Sequence, residues 1–322
     1  MQILSNIPLA PFTTFGIGGP ARWFIETASE AEIVEAVDWA RQHQAPLFIL
    51  GGGSNLLISD SGFNGLALRI ALRGISTIDC VPQPGQPAQR IYQASAGEDW
   101  DHFVERTIQD NCAGLECLAG IPGTVGGTPV QNVGAYGQEV SSVIHRVRAY
   151  DLHDQAFVEL TAADCAFSYR RSRFNSPKHS SDRGRFIVSR VDYRLTLGGA
   201  PTLRYADLQH EFESAPSPTL AAVAEVVRRI RRSKGMLIVA DDPDTRSAGS
   251  FFKNPVITQD HFQQITAQNA KQPPCFPADP GPTGEPCVKI PAAWLIDQSG
   301  FSKGYTLGAA AISSRQIGRA HV

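Results

Sequence analysis

Along the first third of the chain the apolar positions change period twice. RWFIE (22–26) reads as a strand. In SEAEIVEAVDWARQHQ, Ile33, Val34, Val37 and Ala40 recur at helical spacing, and Ser29 and Glu32 have the spacing of a capping box, so an amphipathic helix is predicted. PLFIL (46–50) is again a short apolar strand, and it runs directly into GGGSNLLI. Strand, helix, strand and glycine loop together make an α/β unit. Residues 66–70 and IYQASAG read as further strands, with VPQPGQPAQ (81–89) a Pro/Gln hairpin or loop before the latter. EDWDHFVERTIQD reads as a helix with Trp100, Phe103, Val104 and Ile108 on one face.

Residues 113–140 are dense in glycine and poor in charge, and residues 143–197 are β-rich (VIHRVRAYDL, AFVEL, FIVSRVDYRLTL). Within the latter, YRRSRF (169–174) is taken as a strand. A break falls at LGGAP (197–201). Ser217 and Pro218 are expected as N-cap and first residue of a helix with Leu220, Val223, Val227 and Ile230 on one face. Arg228, Arg229, Arg231 and Arg232 are expected to be a solvated helix end that complements the macrodipole, with a phosphate-facing patch as the alternative. The Pro-rich stretch 273–286 reads as a loop, and AAWLIDQSGFSKG (292–304) as a short helix ending near Gly300. The small and apolar run at 308–312 has no evident partner. There are no internal repeats.

The 322 residues, 34.8 kDa, suggest two domains or so, at about 150 residues per domain. Hydrophobic residues at 42% and charged residues at 19% can bury a core. A net charge of −2 lacks the basic footprint of a nucleic-acid binder. No run approaches the roughly 18 apolar residues of a membrane span, and the N-terminus lacks a secretory pattern. A cytoplasmic monomer with no membrane or nucleic-acid partner is expected. The six cysteines (80, 112, 117, 165, 275, 287) form no C-x-x-C and the histidines no metal-spaced cluster, so buried thiols and no metal are expected.

Two segments carry more glycine than a turn requires. One is Gly51, Gly52, Gly53, Ser54 and Asn55. The other is Gly120, Ile121, Pro122, Gly123, Thr124, Val125, Gly126 and Gly127. Without Cβ atoms, consecutive N–H groups can converge on an anion, and Ser54 and Asn55 add side-chain donors. Either loop alone is equally well a tight turn. Two in one α/β region point to a bound diphosphate. GIGGPA (16–21) fits G-x-G-x-x-A, but a strand-like RWFIE follows it instead of a helix, which excludes the Rossmann arrangement.

TTFGIGG (13–19), ILGGGSNLLI (49–58), AGIPGTVGGTPVQNVGAYGQE (119–139), YRRSRF, LRYADL (203–208), SAGSFFKNP (247–255) and AAWLIDQSGFSKG together resemble the UDP-N-acetylenolpyruvoylglucosamine reductase family, in that family's order. The resemblance implies an α+β protein. Its FAD-binding half would be of the vanillyl-alcohol-oxidase (PCMH) type, made of subdomains at 1–70 and 71–199, with an α+β substrate-binding domain at 200–322. It implies FAD, NADPH and a UDP-sugar enolpyruvyl ether, with reduction of the enolpyruvyl double bond in peptidoglycan precursor synthesis. Hydride would reach the β-carbon while charge builds on the α-carbon and its carboxylate. Arg170 is then the cation for that carboxylate, since a guanidinium is a permanent planar charge. Ser250 is the proton donor to the α-carbon. It needs a partner, because a hydroxyl is far too weak an acid at pH 7. Both glycine loops would hold the cofactor. Lys234 and Asn254 match positions for the substrate diphosphate, and Tyr205 a tyrosine that closes over the substrate.

The resemblance also implies a catalytic glutamate in a strand beyond residue 312. The last glutamate here is Glu285, in a Pro/Gly loop, so a chain truncated at its C-terminus is expected, with 317–322 outside the native reading frame and substrate reduction impaired. A flavin- or nucleotide-binding fragment and a related FAD oxidase are the alternatives. SAGSFFKNP and the lack of a His or Cys flavin-attachment motif speak against the oxidase.

Overall fold

The computed structural model describes residues 1–322 except 83, 176–181, 216, 270, 282 and 322. Parts of the predicted loops at 81–89 and 273–286, and the final residue of the tail, thus lie outside the described residues. The chain forms two units, Met1–Leu237 and Ile238–Val322.

The first unit holds two sheets. In the smaller, β1 (Leu4–Pro8) lies antiparallel to β2 (Pro20–Thr27). α1 (Glu30–Gln42) then leads to β3 (Leu47–Leu50), and β4 (Phe63–Ile70) lies parallel to and between β2 and β3. The predicted capping box forms: Ser29 Oγ accepts from the N–H of Glu32 at 3.2 Å, and the Glu32 carboxylate accepts from the N–H of Ala28 at 2.7 Å. α1 buries Ile33, Ala36, Val37 and Ala40, the face set by its helical period.

The larger sheet is antiparallel. It comprises β5 (Ile75–Asp79), β6 (Gln89–Ser95), β7 (Cys112–Ala113), β10 (Ile144–Asp151), β11 (Ala156–Thr161) and β12 (Phe186–Leu197), in the order β11-β10-β12-β6-β5 with β7 on β12. A separate hairpin pairs β8 (Gly134–Ala135) with β9 (Gln138–Glu139). α2 (Trp100–Gln109) buries Trp100, Phe103, Val104 and Thr107. Ile108, expected on this face, is only partly buried, and Thr107 beside it takes the buried position. Trp100, Phe103, Tyr92 and Tyr193 form one aromatic cluster with centroids 5.0–5.9 Å apart. Truncating a ring buried there costs about 3–5 kcal/mol.

α3 (Ala206–Glu211) and α4 (Leu220–Ser233) complete this unit. Ser217 and Pro218 do not open α4. Thr219 is its N-cap, its hydroxyl accepting from the N–H of Ala222 at 3.1 Å. Thr219 sits next to the first buried residue, Leu220, so the bond closes there. YRRSRF is not a strand. Ser168 and Arg171 exchange backbone bonds of 3.0 Å across Tyr169 and Arg170, a tight turn. Of the cysteines, Cys112, Cys117 and Cys165 are buried. Cys275 is exposed, and Cys80 and Cys287 are intermediate, because they lie in or beside loops.

In the second unit, β13 (Val256–Thr258), β14 (Phe276–Pro277) and β15 (Cys287–Lys289) make a small sheet carrying α5 (Gln259–Gln268). α6 (Ala292–Gln298) stops at Ser299 and Gly300, the latter at φ 86°, as the glycine signal predicts. β16 (Thr306–Leu307), β17 (Ala310–Ile312) and β18 (Ala320–His321) form a third sheet. The small-residue run therefore does have partners, on both sides: Ala311 pairs with Thr306 and with His321.

Candidate functional site

The two glycine loops meet. β3 ends in the first loop, and a Cβ added to Gly52 would lie 2.6 Å from Gly123 Cα and 3.0 Å from Thr124 N. One added to Gly123 would lie 2.8 Å from Ser54 Oγ. Gly53, at φ 63°, turns against the carbonyl oxygen of Phe12, and its own carbonyl accepts from the N–H of Thr14 at 3.2 Å. The TTFGIGG segment therefore braces the first loop from behind. The strand that follows it is β2, in agreement with the exclusion of a Rossmann turn.

The aromatic core holds the second loop. The N–H of Trp100 donates to Gly123 O at 3.1 Å, the N–H groups of Val125 and Gly126 donate to Glu98 O and Ala96 O at 2.9 Å, and Thr128 shares a 2.6 Å bond with the Tyr193 hydroxyl. These contacts use the donors of Val125 and Gly126 and the carbonyl of Gly123, and leave other donors of the loop unspent. Among the described residues, the backbone N–H groups of residues 51–55, 121, 123 and 124 donate to no protein acceptor. Gly53 is buried. A buried donor without an acceptor costs about 1–3 kcal/mol, so the chemistry of the donor set fits an anion such as a diphosphate.

Gly120 is gripped at both ends of its backbone. Its N–H donates to Asp101 Oδ1 at 2.6 Å, and its carbonyl accepts from Arg231 Nε at 3.1 Å. Arg228 also reaches Asp101, at 2.9 Å. Arg231 is 7% exposed, so it is not part of a solvated helix end. It stands four residues beyond Val227 on the buried face of α4, with its other donor on Met236 O at 2.9 Å. Burial pushes its pKa down, countered by the nearby Tyr136 and Asp101. Arg229 does sit on the surface, paired with Glu211, and Arg232 is exposed.

Three of the predicted site residues of the first unit gather around the β8–β9 hairpin. Arg170 lies at φ 55° and donates to Gly134 O at 2.6 Å. A left-handed non-glycine residue costs about 1–3 kcal/mol and clusters at functional positions. Tyr136, at the tip of the hairpin, stacks edge-to-face on Tyr205 at 5.3 Å. Lys234 Nζ bonds Asp207 at 3.0 Å. Tyr136 is pushed up in pKa by burial, against the charges of Arg231 and Lys234. The sequence does not single out Tyr136, which lies within the AGIPGTVGGTPVQNVGAYGQE block, and it places Arg231 only in the arginine cluster, although Arg231 is also the next step of the 220, 223, 227 stripe.

Ser250 and Asn254 belong to the second unit. Ser250 is exposed and bridges to Arg319, with the next N–H, of Phe251, on Gly318 O at 2.9 Å. Asn254 Oδ1 accepts from the N–H of Ala292 at 2.9 Å, capping α6. An apolar groove of about 680 Å3 lies beside them, with Phe251, Phe252, Leu295 and Tyr305 in its walls. Among the described residues, no group of His, Cys, Asp or Glu could hold a metal ion, and no helix is long and apolar enough to cross a membrane.

Comparison with known proteins decides the family. The family model described as an FAD binding domain matches residues 21–160, which contain both glycine loops. The model for the UDP-N-acetylenolpyruvoylglucosamine reductase C-terminal domain matches residues 241–318, which contain Ser250 and Asn254. UDP-N-acetylenolpyruvoylglucosamine reductase of Streptomyces coelicolor is 44% identical, covering 98% of this chain and 80% of the relative. The chain belongs to the UDP-N-acetylenolpyruvoylglucosamine reductase family. The reductase of Thermobifida fusca is 40% identical over 96% of this chain and 85% of its own. The crystal structure of the Thermus caldophilus reductase shares the fold, with a TM-score of 0.63 at 24% identity, over 100% of this chain and 88% of that one. The α+β class expected of the family, with an FAD-binding domain first and the reductase domain after it, is the one found.

Proposed function

We propose that the protein reduces UDP-N-acetylglucosamine enolpyruvate to UDP-N-acetylmuramate in peptidoglycan precursor synthesis, using FAD and NADPH. The observation that carries this reading is the pairing of the two glycine loops, with unspent backbone donors on both, inside the segment matched by the FAD-binding model. When bound, FAD supplies hydride transfer to the enolpyruvyl double bond after reduction by NADPH. The two glycine loops, 51–55 and 120–127, would hold its diphosphate through the unspent backbone N–H groups of residues 51–55, 121, 123 and 124 and through Ser54. Residues 1–70 and 71–199 form the cofactor half, which also supplies Arg170, and residues 200–322 supply the other substrate contacts.

On the substrate side, the Arg170 guanidinium stabilises charge that builds on the enolpyruvyl carboxylate. Its bond to Gly134 O aims the guanidinium. The Ser250 hydroxyl gives a proton to the α-carbon and must be resupplied by a neighbour. Lys234 and Asn254 bind the substrate diphosphate, and Lys234 exchanges its Asp207 partner for phosphate. Tyr205 closes over the bound sugar nucleotide from its stack on Tyr136.

The test is optical. The purified protein, supplied with FAD, shows flavin bands, loses them with NADPH, and regains them when the enolpyruvyl UDP-sugar is mixed in a stopped-flow cell. A colourless protein without FAD affinity overturns the proposal. A flavoprotein whose reduced form is reoxidised by oxygen but not by the UDP-sugar indicates the oxidase or the impaired fragment.

A further inference from the structure

A buried carboxylate at the base of this site has no role in the chemistry above. Glu116 is 1% exposed and forms no ion pair among the described residues. It is held instead by three donors: the N–H of Gly114 at 2.8 Å, Gln138 Nε2 at 2.7 Å and the N–H of Thr202 at 2.8 Å. Gln138, also buried, is oriented by the N–H of Cys117 on its Oε1 at 2.8 Å, and its amide reaches Thr202 Oγ1 at 3.1 Å. The Cys117 thiol donates to Thr202 O at 3.2 Å.

The positions of these three anchors give the network its meaning. Glu116 and Cys117 lie four and three residues before Gly120, where the second glycine loop starts. Gln138 lies two residues after Tyr136, on the hairpin that takes the Arg170 bond. Thr202 lies three residues before Tyr205, and no strand of either sheet holds it. Residues 201–204 have no secondary structure, so these bonds, together with Leu203 packed against the core, tie down the approach to Tyr205.

We propose that Glu116 and Gln138 are positioning residues that fix the Tyr205 segment and the Tyr136 hairpin to the glycine loop, and so set affinity for the UDP-sugar. This rests on the reading of Tyr205 as a substrate-closing residue. The pattern needs a carboxylate, because every partner of Glu116 is a donor. Glu116→Gln keeps the shape but turns an NH2 towards one of these N–H groups.

The test uses the FAD-loaded protein. Glu116→Gln is expected to raise KM for UDP-N-acetylglucosamine enolpyruvate about tenfold with kcat within about threefold, and to speed amide exchange of residues 202–208 about tenfold. Val147→Ala, a truncation in the core of β10, is the control for stability alone: it lowers the melting temperature and moves neither readout. Thr202→Val removes only the hydroxyl bond to Gln138 and should shift both readouts the same way, about threefold, which keeps the test open if Glu116→Gln fails to fold. Wild-type KM and exchange in Glu116→Gln, or in Thr202→Val where only that variant folds, overturn the proposal. So does an equal effect of Val147→Ala. A wild-type protein that does not bind the UDP-sugar overturns the function itself, and the positioning role with it.

Discussion

Gly52→Ala measures how closely the two glycine loops are joined. The added methyl would lie 2.6 Å from Gly123 Cα, 2.8 Å from its carbonyl carbon and 3.0 Å from Thr124 N. Relaxed carbon–carbon contacts lie at about 3.5–4.0 Å, so the loops must part by about 1 Å. All three obstructing atoms are backbone, and the Gly123 carbonyl is pinned by the N–H of Trp100. Rotamer changes therefore cannot relieve the clash. Overpacking of this kind costs about 1–3 kcal/mol. If the loops part only in the flavin complex, FAD affinity falls about 5- to 150-fold, at 1.4 kcal/mol per tenfold. If the strain is carried by the apoprotein, the melting temperature drops instead, by about 2–4 °C per kcal/mol. Flavin fluorescence titration and thermal melting of the same sample read both. Gly318→Ala is the matched control, because its Cβ would meet nothing within 4 Å and it lies outside both loops. Wild-type affinity and melting in Gly52→Ala, or equal damage from Gly318→Ala, would refute the argument.

Ser250→Ala should leave reduction of the flavin by NADPH intact and slow its reoxidation by the UDP-sugar about 10²- to 10⁴-fold in stopped flow; a normal reoxidation rate removes Ser250 from the chemistry. Asn254→Ala should lose the α6 cap and about 1 kcal/mol of stability. Asn254→Asp keeps the acceptor for Ala292, so its melting temperature should hold while substrate KM rises through repulsion of the diphosphate; an unchanged KM would leave Asn254 a cap alone. The Arg185 guanidinium, with the N–H groups of His153 and Asp154, holds Asp151 at a pKa of about 2, below its ordinary 3.8. A depressed carboxylate stabilises the fold above its unfolded pKa and loses that contribution as pH falls from about 4 to 2, here about 2 kcal/mol. The stability gap between wild type and Arg185→Met in urea should therefore narrow across that window, and a gap independent of pH would contradict the assignment.

Local signals carried much of this far. The Ser29–Glu32 box, the 3.6-residue stripes of α1 and α2 and the glycine after α6 act between neighbours in sequence, so pattern alone located them. The glycine loops were legible as a pair because a missing Cβ shows in composition. Their contact through Gly52 and Gly123 was not, since no residue type encodes which backbone it meets. Long-range bonds hid the rest. Thr202 and Glu116 are 86 residues apart. Arg231 broke the expectation that charge marks the solvent face, because two backbone carbonyls compensate its burial. The 308–312 run gained partners only through β16 and β18, which are too short to show a period of two.

The contact between Gly52 and Gly123 has a consequence for redesign. Neither loop is an interchangeable part. A longer or bulkier phosphate loop borrowed from another flavoprotein would collide with whichever native loop remained, however well it suited a flavin in its own setting. Grafts in this scaffold have to travel as matched pairs, and libraries that vary one loop at a time will find most of their members empty of cofactor.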